Sequence, residues 1–478
     1  LPEASVCLAT KTAAIAAPVD PALAERVNRG AALGAALLRA GKAAQAKATV
    51  DALLAEPAIV ADAASAARLG VLAAQSERQL GHDQQAADRL DAAYLAARTV
   101  DTRESMLAVA NEYVARHLGR REPAPTLQWI ARARLEAETL GDARALALLD
   151  GREARALHHR GDFDEAIVRS EAALAGLAAL GLSDSADAVD IKSSLGGVYF
   201  AQRRFDRALA IKTEAIEQQT RIHGAEHPLT AAAISDLGVI ESATGDLAGA
   251  RKHLEQALGI LERTLVEPNP RIGDTLAQLA GLRLREHDAA AAIALGERAL
   301  ANLTPSQEDS SAVALVLNNH ALALLEADRR TEGIAMLRRS VAMKERVLPP
   351  NHPDLALAYS NLGEALALEP ANDPADTTAL YRKALAIRST RDDAQTLAHA
   401  RALLAAWLAE HDGEAEARSL AQLVLDEPTT LAADRIAALF ALARASTGSE
   451  RRTRARDALA IAEVERSEFL ARLRVLAD

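Results

Sequence analysis

The fold is decided by three similar stretches: SSLGGVYFAQRRFDRALAIKTEAI at residues 193–216, SDLGVIESATGDLAGARKHLEQAL at residues 235–258, and SNLGEALALEPANDPADTTALYRKAL at residues 360–385. Each has a leucine followed by a small residue, then a break, then an alanine-bearing amphipathic run. Self-similarity at a fixed spacing indicates a repeat array, in which one small structural unit packs on the next.

Small residues recur three times in each repeat, at steps that are almost always 42 residues. The three series are Gly196, Gly238, Ala280, Ala321 and Gly363; Ala208, Ala250, Ala292 and Gly333; and Ala215, Ala257, Ala299, Ser340 and Ala384. In a unit of two helices these are the positions where helices cross most closely, because a large side chain there would push them apart.

The repeat boundaries have the residues of helix starts and tight turns. Pro228, Pro270 and Pro353 each open a repeat, since proline is well tolerated in the first helical turn. Between the two helices, four residues at steps of 42 mark a turn: Gly161, Arg203, Gly245 and His287. Because two of the four are not glycine, we expect the turn to tolerate other residues. Runs typical of β-strands are absent, so the pattern predicts helices alone.

The regularity of the repeats divides the chain into four segments. Residues 1–20 form an entry segment, 21–148 degenerate N-terminal repeats, and 149–391 the well-formed 42-residue repeats. Residues 392–478 contain degenerate C-terminal repeats and a capping helix, as expected at the end of a repeat array.

Composition excludes several classes of protein. Half of the 478 residues are hydrophobic but only 3% are aromatic, which favours helices packed through small side chains. A net charge of -11 argues against nucleic acid or an anionic membrane as the main partner. Cys7, the one cysteine, allows no internal disulfide and no cysteine-based zinc site. No run is apolar enough for a membrane helix, and the opening Leu1 suggests a processed chain or a fragment.

Local motifs for catalysis or for cofactor and metal binding are weak. His158 and His159 are adjacent, so on a helix their side chains point about 100° apart and do not share one ion. Residues 161–166, GDFDEA, lack the later glycine and glutamate of a calcium loop, and residues 40–47, AGKAAQAK, are not a phosphate loop. We therefore predict a non-enzyme without a metal or cofactor; a hydrolase with a non-local catalytic cluster is the less favoured alternative.

Leu195, Gly196 and Tyr199, followed by Ala208 and Ala215, resemble the tetratricopeptide repeat. The 42-residue step and the His-Pro openings are similar to the longer, kinesin-light-chain type. The resemblance covers residues 150–390 best and implies an all-α fold, a right-handed α-solenoid or superhelix of about eleven helix-turn-helix repeats. It is specific for fold and says little about function.

A narrower resemblance is to the C-terminal repeat region of bacterial transmembrane serine/threonine protein kinases. It rests on the opening LPEASVCLAT with Cys7, the alanine-rich early repeats and the His-Pro repeats after them. No glycine-rich phosphate loop, strand lysine or His-Arg-Asp loop is present, so phosphoryl transfer is not expected on this chain.

The binding site is predicted on the first helix of each repeat, two residues before the first small position. In tetratricopeptide repeats this helix lines the concave face, so the resemblance implies a groove. The residues are Ser194, Asp236, Gln278, Asn319 and Asn361, with the polar neighbours Ser193, Ser235, Asn318 and Ser360. Asn and Gln both donate and accept hydrogen bonds, so such a row suits an extended peptide backbone; helix solvation is the simpler alternative.

The predicted function is a protein-interaction module that binds a peptide or protein, as the sensory or scaffolding region of a larger bacterial signalling protein. A structural or oligomerisation array without a ligand is the main alternative. We expect no nucleic acid, no membrane insertion and no small-molecule cofactor. The domain is expected to be soluble, and cytoplasmic or, within a single-pass membrane kinase, periplasmic.

Overall fold

A computed structural model describes residues 21–100, 103–120, 122–307, 310–369, 372–390, 393–411, 413–465 and 469–477. The chain divides into two compact units, Leu1–Gly224 and Ala225–Asp478, here called unit 1 and unit 2. The entry segment and Cys7 lie outside the described residues.

Unit 1 contains eleven helices among its described residues. They are α1 (Pro21–Arg39), α2 (Ala43–Leu54), α3 (Pro57–Ala61), α4 (Ala63–Gln79), α5 (Asp83–Val100), α6 (Arg103–Gly119), α7 (Pro123–Leu140), α8 (Ala143–Arg160), α9 (Phe163–Ala179), α10 (Ala186–Ala201) and α11 (Phe205–His223).

Unit 2 continues with thirteen helices in the part that is described. They are α12 (Pro228–Thr244), α13 (Leu247–Thr264), α14 (Pro270–Arg285), α15 (Ala289–Gln307), α16 (Ser311–Glu326), α17 (Arg330–Val347), α18 (Pro353–Ala367), α19 (Pro374–Arg388), α20 (Ala394–Leu408), α21 (Glu414–Leu425), α22 (Ala432–Arg444), α23 (Gly448–Glu465) and α24 (Leu470–Ala477).

Eleven helical hairpins account for all of these helices except α3 and α24. In each hairpin the first helix, called the A helix, packs antiparallel on the second, the B helix. The A helices are α1, α4, α6, α8, α10, α12, α14, α16, α18, α20 and α22. No strand occurs among the described residues, so the predicted all-α repeat solenoid is confirmed. The terminal α24 packs on α23, as a cap would.

The small positions are the close helix crossings. All of the residues in the three series are buried. A Cβ atom added at Gly238 in α12 would lie 3.1 Å from the carbonyl oxygen of Ala250 in α13, and one at Gly333 would lie 3.0 Å from that of Ala321. The A and B helices therefore approach each other closely, and the repeat step keeps this contact in register.

His-Pro and Asn-Pro pairs start three A helices of unit 2. Pro228, Pro270 and Pro353 occupy the first turn of α12, α14 and α18. The preceding side chain caps each helix: Nδ1 of His227 accepts from the backbone N–H of Leu229 at 3.2 Å. The same cap at Asn269 and His352 explains why a polar residue precedes each proline.

The turn between the A and B helices needs a left-handed residue. Gly161 and Gly245 have φ of 94° and 93°, and Arg203 and His287 have φ of 59° and 58°. The non-glycine residues are accommodated, as expected, although their Cβ atoms make this conformation less favourable.

None of the described helices has the length and apolar character that crossing a bilayer requires. The division of the sequence at residues 148 and 391 by repeat regularity stays a prediction.

Candidate functional site

The five predicted groove residues occupy the same position on successive A helices, and together they are called the polar row. Ser194 lies on α10 of unit 1, where it is partly exposed together with Ser193. The other four lie in unit 2, on α12, α14, α16 and α18: Asp236 and Gln278 are exposed, and Asn319 and Asn361 are partly exposed. The A helices α12, α14 and α16 contact one another in sequence, and a hydrogen bond joins Asn361 of α18 to α16. These side chains therefore share one surface, here called the A-helix face of unit 2.

Asparagines link α16 to α18 on this face. Nδ2 of Asn361 donates to Oδ1 of Asn318 at 2.9 Å, and Nδ2 of Asn318 donates to Oδ1 of Asn319 at 3.3 Å. Asn319 lies beside Gly281 of α14, where an added Cβ would be 3.3 Å from its Nδ2. The structure therefore brings two members of the polar row into one chain of amides. Within the described residues, Nδ2 of Asn319 and Oδ1 of Asn361 have no further side-chain or backbone partner.

Three of the predicted neighbours do not line this surface. Ser235, Asn318 and Ser360 are 7%, 3% and 6% exposed, so the expectation that they keep the surface polar and open is wrong. Consecutive helical residues point about 100° apart, and the neighbour of a surface residue therefore turns into the hairpin. Asn318 instead supports the row from below, through the two hydrogen bonds described above.

Sequence analysis missed two exposed leucines on the same face. Leu315 and Leu357 are 41% and 43% exposed, and each precedes a polar-row asparagine by four residues, about one helical turn. They are 42 residues apart, so the repeat step could have identified them. Their positions give the face an apolar strip next to the amides of Asn319 and Asn361.

Asp274 adds a carboxyl group to the A-helix face of unit 2. Its residue is exposed to solvent, yet burial raises the pKa of its carboxyl group. Asp274 occupies the position of Leu315 and Leu357 in the preceding repeat, one turn before Gln278.

A histidine and an aspartate also meet on an A-helix surface of unit 2. Nδ1 of His399 in α20 lies 2.7 Å from Oδ1 of Asp434 in α22, and Asp434 is only 4% exposed. This hydrogen bond raises the pKa of His399 despite the opposing effect of burial. Among the described residues, Asp434 is the only hydrogen-bond partner of His399. Among the described residues, no hydroxyl or thiol is therefore hydrogen-bonded to His399. A hydrolase that uses a histidine–aspartate pair needs such a group as its nucleophile.

The described residues include no cluster of three or more His, Cys, Asp or Glu side chains suited to a metal ion. The adjacent rings of His158 and His159 have centroids 6.1 Å apart and planes tilted by 33°.

Comparison with known families identifies the central repeats. Residues 187–263 and 312–388 match the family model of the tetratricopeptide repeat. These two segments are tetratricopeptide repeats. They contain Ser194, Asp236, Asn319 and Asn361, and Gln278 lies between them. No curated protein matches the sequence significantly.

Solved structures share the fold. A Rap protein in complex with Competence and Sporulation Factor has a TM-score of 0.54 at 16% identity, covering 77% of this chain and 98% of its own. The apo quorum sensor NprR from B. thuringiensis has a TM-score of 0.53 at 15% identity, covering 76% and 99%. A kinesin-light-chain repeat protein of Podosopora anserina is 20% identical over 42% of this chain and 95% of its own, with a TM-score of 0.37.

Proposed function

We propose that the chain is a protein-interaction module that binds an extended peptide segment of a partner along the polar row of unit 2. The observation that supports this most directly is the amide chain at α16 and α18, in which Asn319 retains donors and Asn361 retains an acceptor. Gln278, which has no hydrogen-bond partner among the described residues, adds a third amide to the row. An extended backbone requires such alternating donors and acceptors.

The neighbouring leucines supply the apolar part of the interface. An aliphatic side chain of the peptide packs on Leu315 and Leu357, while its backbone pairs with Asn319 and Asn361. Each net hydrogen bond contributes about 0.5–1.5 kcal/mol, and ordering a flexible segment opposes binding. The proposed interaction is therefore of modest affinity and depends on several contacts at once.

The Rap complex also supports a ligand for this kind of fold, since that protein was crystallised with Competence and Sporulation Factor. At 16% identity the likeness concerns the fold, so the chemistry of the ligand is argued from the residues of this chain alone.

Replacing both asparagines of the polar row is expected to weaken peptide binding roughly tenfold or more, because two amide contacts of about 1 kcal/mol each are lost. A displayed library of random peptides would be selected on the full chain. The affinity of the enriched peptides would then be measured for the chain and for the Asn319→Ala/Asn361→Ala variant.

The matched control is Gln256→Ala, which removes an exposed amide from the B helix α13 of the same unit. We expect it to bind the selected peptides with unchanged affinity. Equal affinities for the double variant and the unaltered chain would exclude the polar row as the binding site.

The alternative of an oligomerisation array predicts a defined oligomer in light scattering and no enriched peptide. It stays a prediction that this module belongs to a larger bacterial signalling protein, such as a serine/threonine kinase. The sequence of the surrounding coding region tests that prediction. The absence of catalysis and the compartment likewise stay predictions.

A further inference from the structure

His320 departs from the sequence pattern of the central repeats. The position directly before the first small residue holds leucine in the other four of these repeats, at Leu195, Leu237, Leu279 and Leu362. In the A helix α16 the same position holds His320, which is only 5% exposed. This repeat therefore buries an ionisable ring where its neighbours have an aliphatic side chain.

A second departure lies opposite His320, on the B helix α15 that packs against α16. Gly296 occupies the position that Leu254 and Leu337 hold in the adjoining repeats, where both leucines are buried. A Cβ atom added at Gly296 would lie 2.7 Å from Nδ1 of His320, which is too close for any other residue. The glycine therefore leaves the space that the imidazole ring fills.

The surroundings of the ring favour the neutral imidazole. In the part of the chain that the structure describes, the buried Nδ1 of His320 has no hydrogen-bond partner. Of the neighbouring elements, α15 contributes Glu297, and the start of α17 contributes Arg329 and Glu332, which pair with each other at 2.7 and 2.8 Å. Burial, the largest effect, lowers the pKa of His320, and the two carboxylates offset it only in part. A hydrogen bond to the backbone of Ile293 in α15 also acts against burial.

Acid is therefore expected to weaken the contact between α15 and α16. Between the lowered pKa of the folded chain and the usual value of 6.5, the unfolded chain binds the proton more tightly. The contribution of His320 to stability is complete above pH 6.5 and is lost as the pH falls below it. Protonation adds a charge and an N–H donor at a buried atom, and this cost is relieved when the helices separate and water reaches the ring.

We propose that His320 and Gly296 form a pH-sensitive latch, which holds α16 on α15 at neutral pH and opens on acidification. Asn318 and Asn319 directly precede His320 on α16, and Asn318 accepts the hydrogen bond from Asn361. Opening of the latch displaces these amides, so acid releases a peptide bound along the polar row. That consequence rests on the proposed function, whereas the latch itself does not.

Amide hydrogen exchange of the full chain at pH 7.5 and pH 5.5, corrected for the intrinsic effect of pH on exchange, measures the opening without any ligand. Carboxyl groups with ordinary pKa values stay ionised at both pH values, so histidines dominate the response. The protection factors of α15 and α16 are expected to fall about fivefold or more on acidification, the factor for one unsatisfied buried polar group. His320→Leu, which restores the residue of the other repeats, is expected to keep its protection at both pH values.

The matched control is His287→Asn, which removes an exposed histidine from the turn before α15 and is expected to respond to acid as the unaltered chain does. His320→Gln is a second uncharged variant, and circular dichroism establishes that each variant is folded. The inference is overturned if protection does not fall on acidification, or if both His320 variants lose as much protection as the unaltered chain. It is also overturned if the fall is equally large in α12 and α13, remote from the latch.

The affinity for the library-selected peptides at the two pH values tests the coupling to the polar row. The unaltered chain is expected to bind about fivefold or more weakly at pH 5.5, and His320→Leu equally at both. A fall in protection without a fall in affinity contradicts the coupling alone. If the Asn319→Ala/Asn361→Ala variant binds as the unaltered chain does, the polar row fails, and hydrogen exchange still decides the latch.

Discussion

Gly273→Leu is expected to lower the free energy of unfolding of unit 2 by about 1–3 kcal/mol, the range for overpacking a well-packed contact. Gly273 lies in the interior of α14, and an added Cβ would be 2.6 Å from Cγ of Leu303 and 3.2 Å from the carbonyl oxygen of Ala299 in α15. The backbone atom cannot move aside as a flexible side chain would. The helices must therefore separate, and urea unfolding of the full chain, followed by circular dichroism, measures the cost.

Gly259→Leu is the matched control, since it places the same side chain in the interior of another helix. The nearest atom to its added Cβ is Nη1 of Arg263 at 3.3 Å, at the end of a flexible side chain. Leucine is a better helix former than glycine, so this variant is expected to gain about 0.5–1 kcal/mol. Similar losses in both variants would contradict the role assigned to close crossings.

Lys344→Leu is expected to raise the free energy of unfolding by about 1–3 kcal/mol, as in other cases where a buried charge gives way to a fitting apolar side chain. Lys344 is 2% exposed, and its Nζ has a single hydrogen bond, of 3.3 Å, to the carbonyl oxygen of Asp354. Burial lowers the pKa of its amine. The corresponding positions of the two preceding repeats hold Leu261 and Leu303, both fully buried. Leucine therefore restores the residue that the repeat itself uses.

The gain from Lys344→Leu is expected to depend on pH. The amine of the folded chain has a pKa below the usual 10.5, so the unfolded chain binds the proton more tightly. The burial cost is complete below the lowered pKa and decreases as the pH rises from there toward 10.5, and the advantage of leucine decreases with it. Comparison of urea midpoints at pH 7 and pH 10 measures this change.

Lys252→Leu, at an exposed position of α13, is the control and is expected to change stability by less than about 0.5 kcal/mol. A loss of stability at pH 7 for Lys344→Leu would contradict the account of the buried amine.

The sequence predicted the repeat architecture because its main determinants are local. The 42-residue step, the prolines at helix starts and the small crossing residues each follow from the geometry of one hairpin. Gly238 and Ala250 meet as expected because their separation in sequence sets where the two helices cross. The turn residues Arg203 and His287 also behave as their shared spacing suggested.

The site was predicted less completely, because it depends on how one hairpin faces the next. The repeat spacing predicted that Asn319 and Asn361 lie on one face. It did not predict the hydrogen bond from Asn361 to Asn318, which joins residues 43 positions apart. Ser360 was assigned to the surface because it is polar, although helical geometry turns it inward.

Photo-crosslinking tests the central claim, that the A-helix face of unit 2 is the binding surface, most directly. p-Benzoylphenylalanine would replace Leu357 on the A helix α18 in one sample and Gln256 on the B helix α13 in another, each with a library-selected peptide. We expect the peptide to crosslink to the chain from position 357 and not from position 256. Crosslinks from position 256 alone would contradict the assignment of the binding surface.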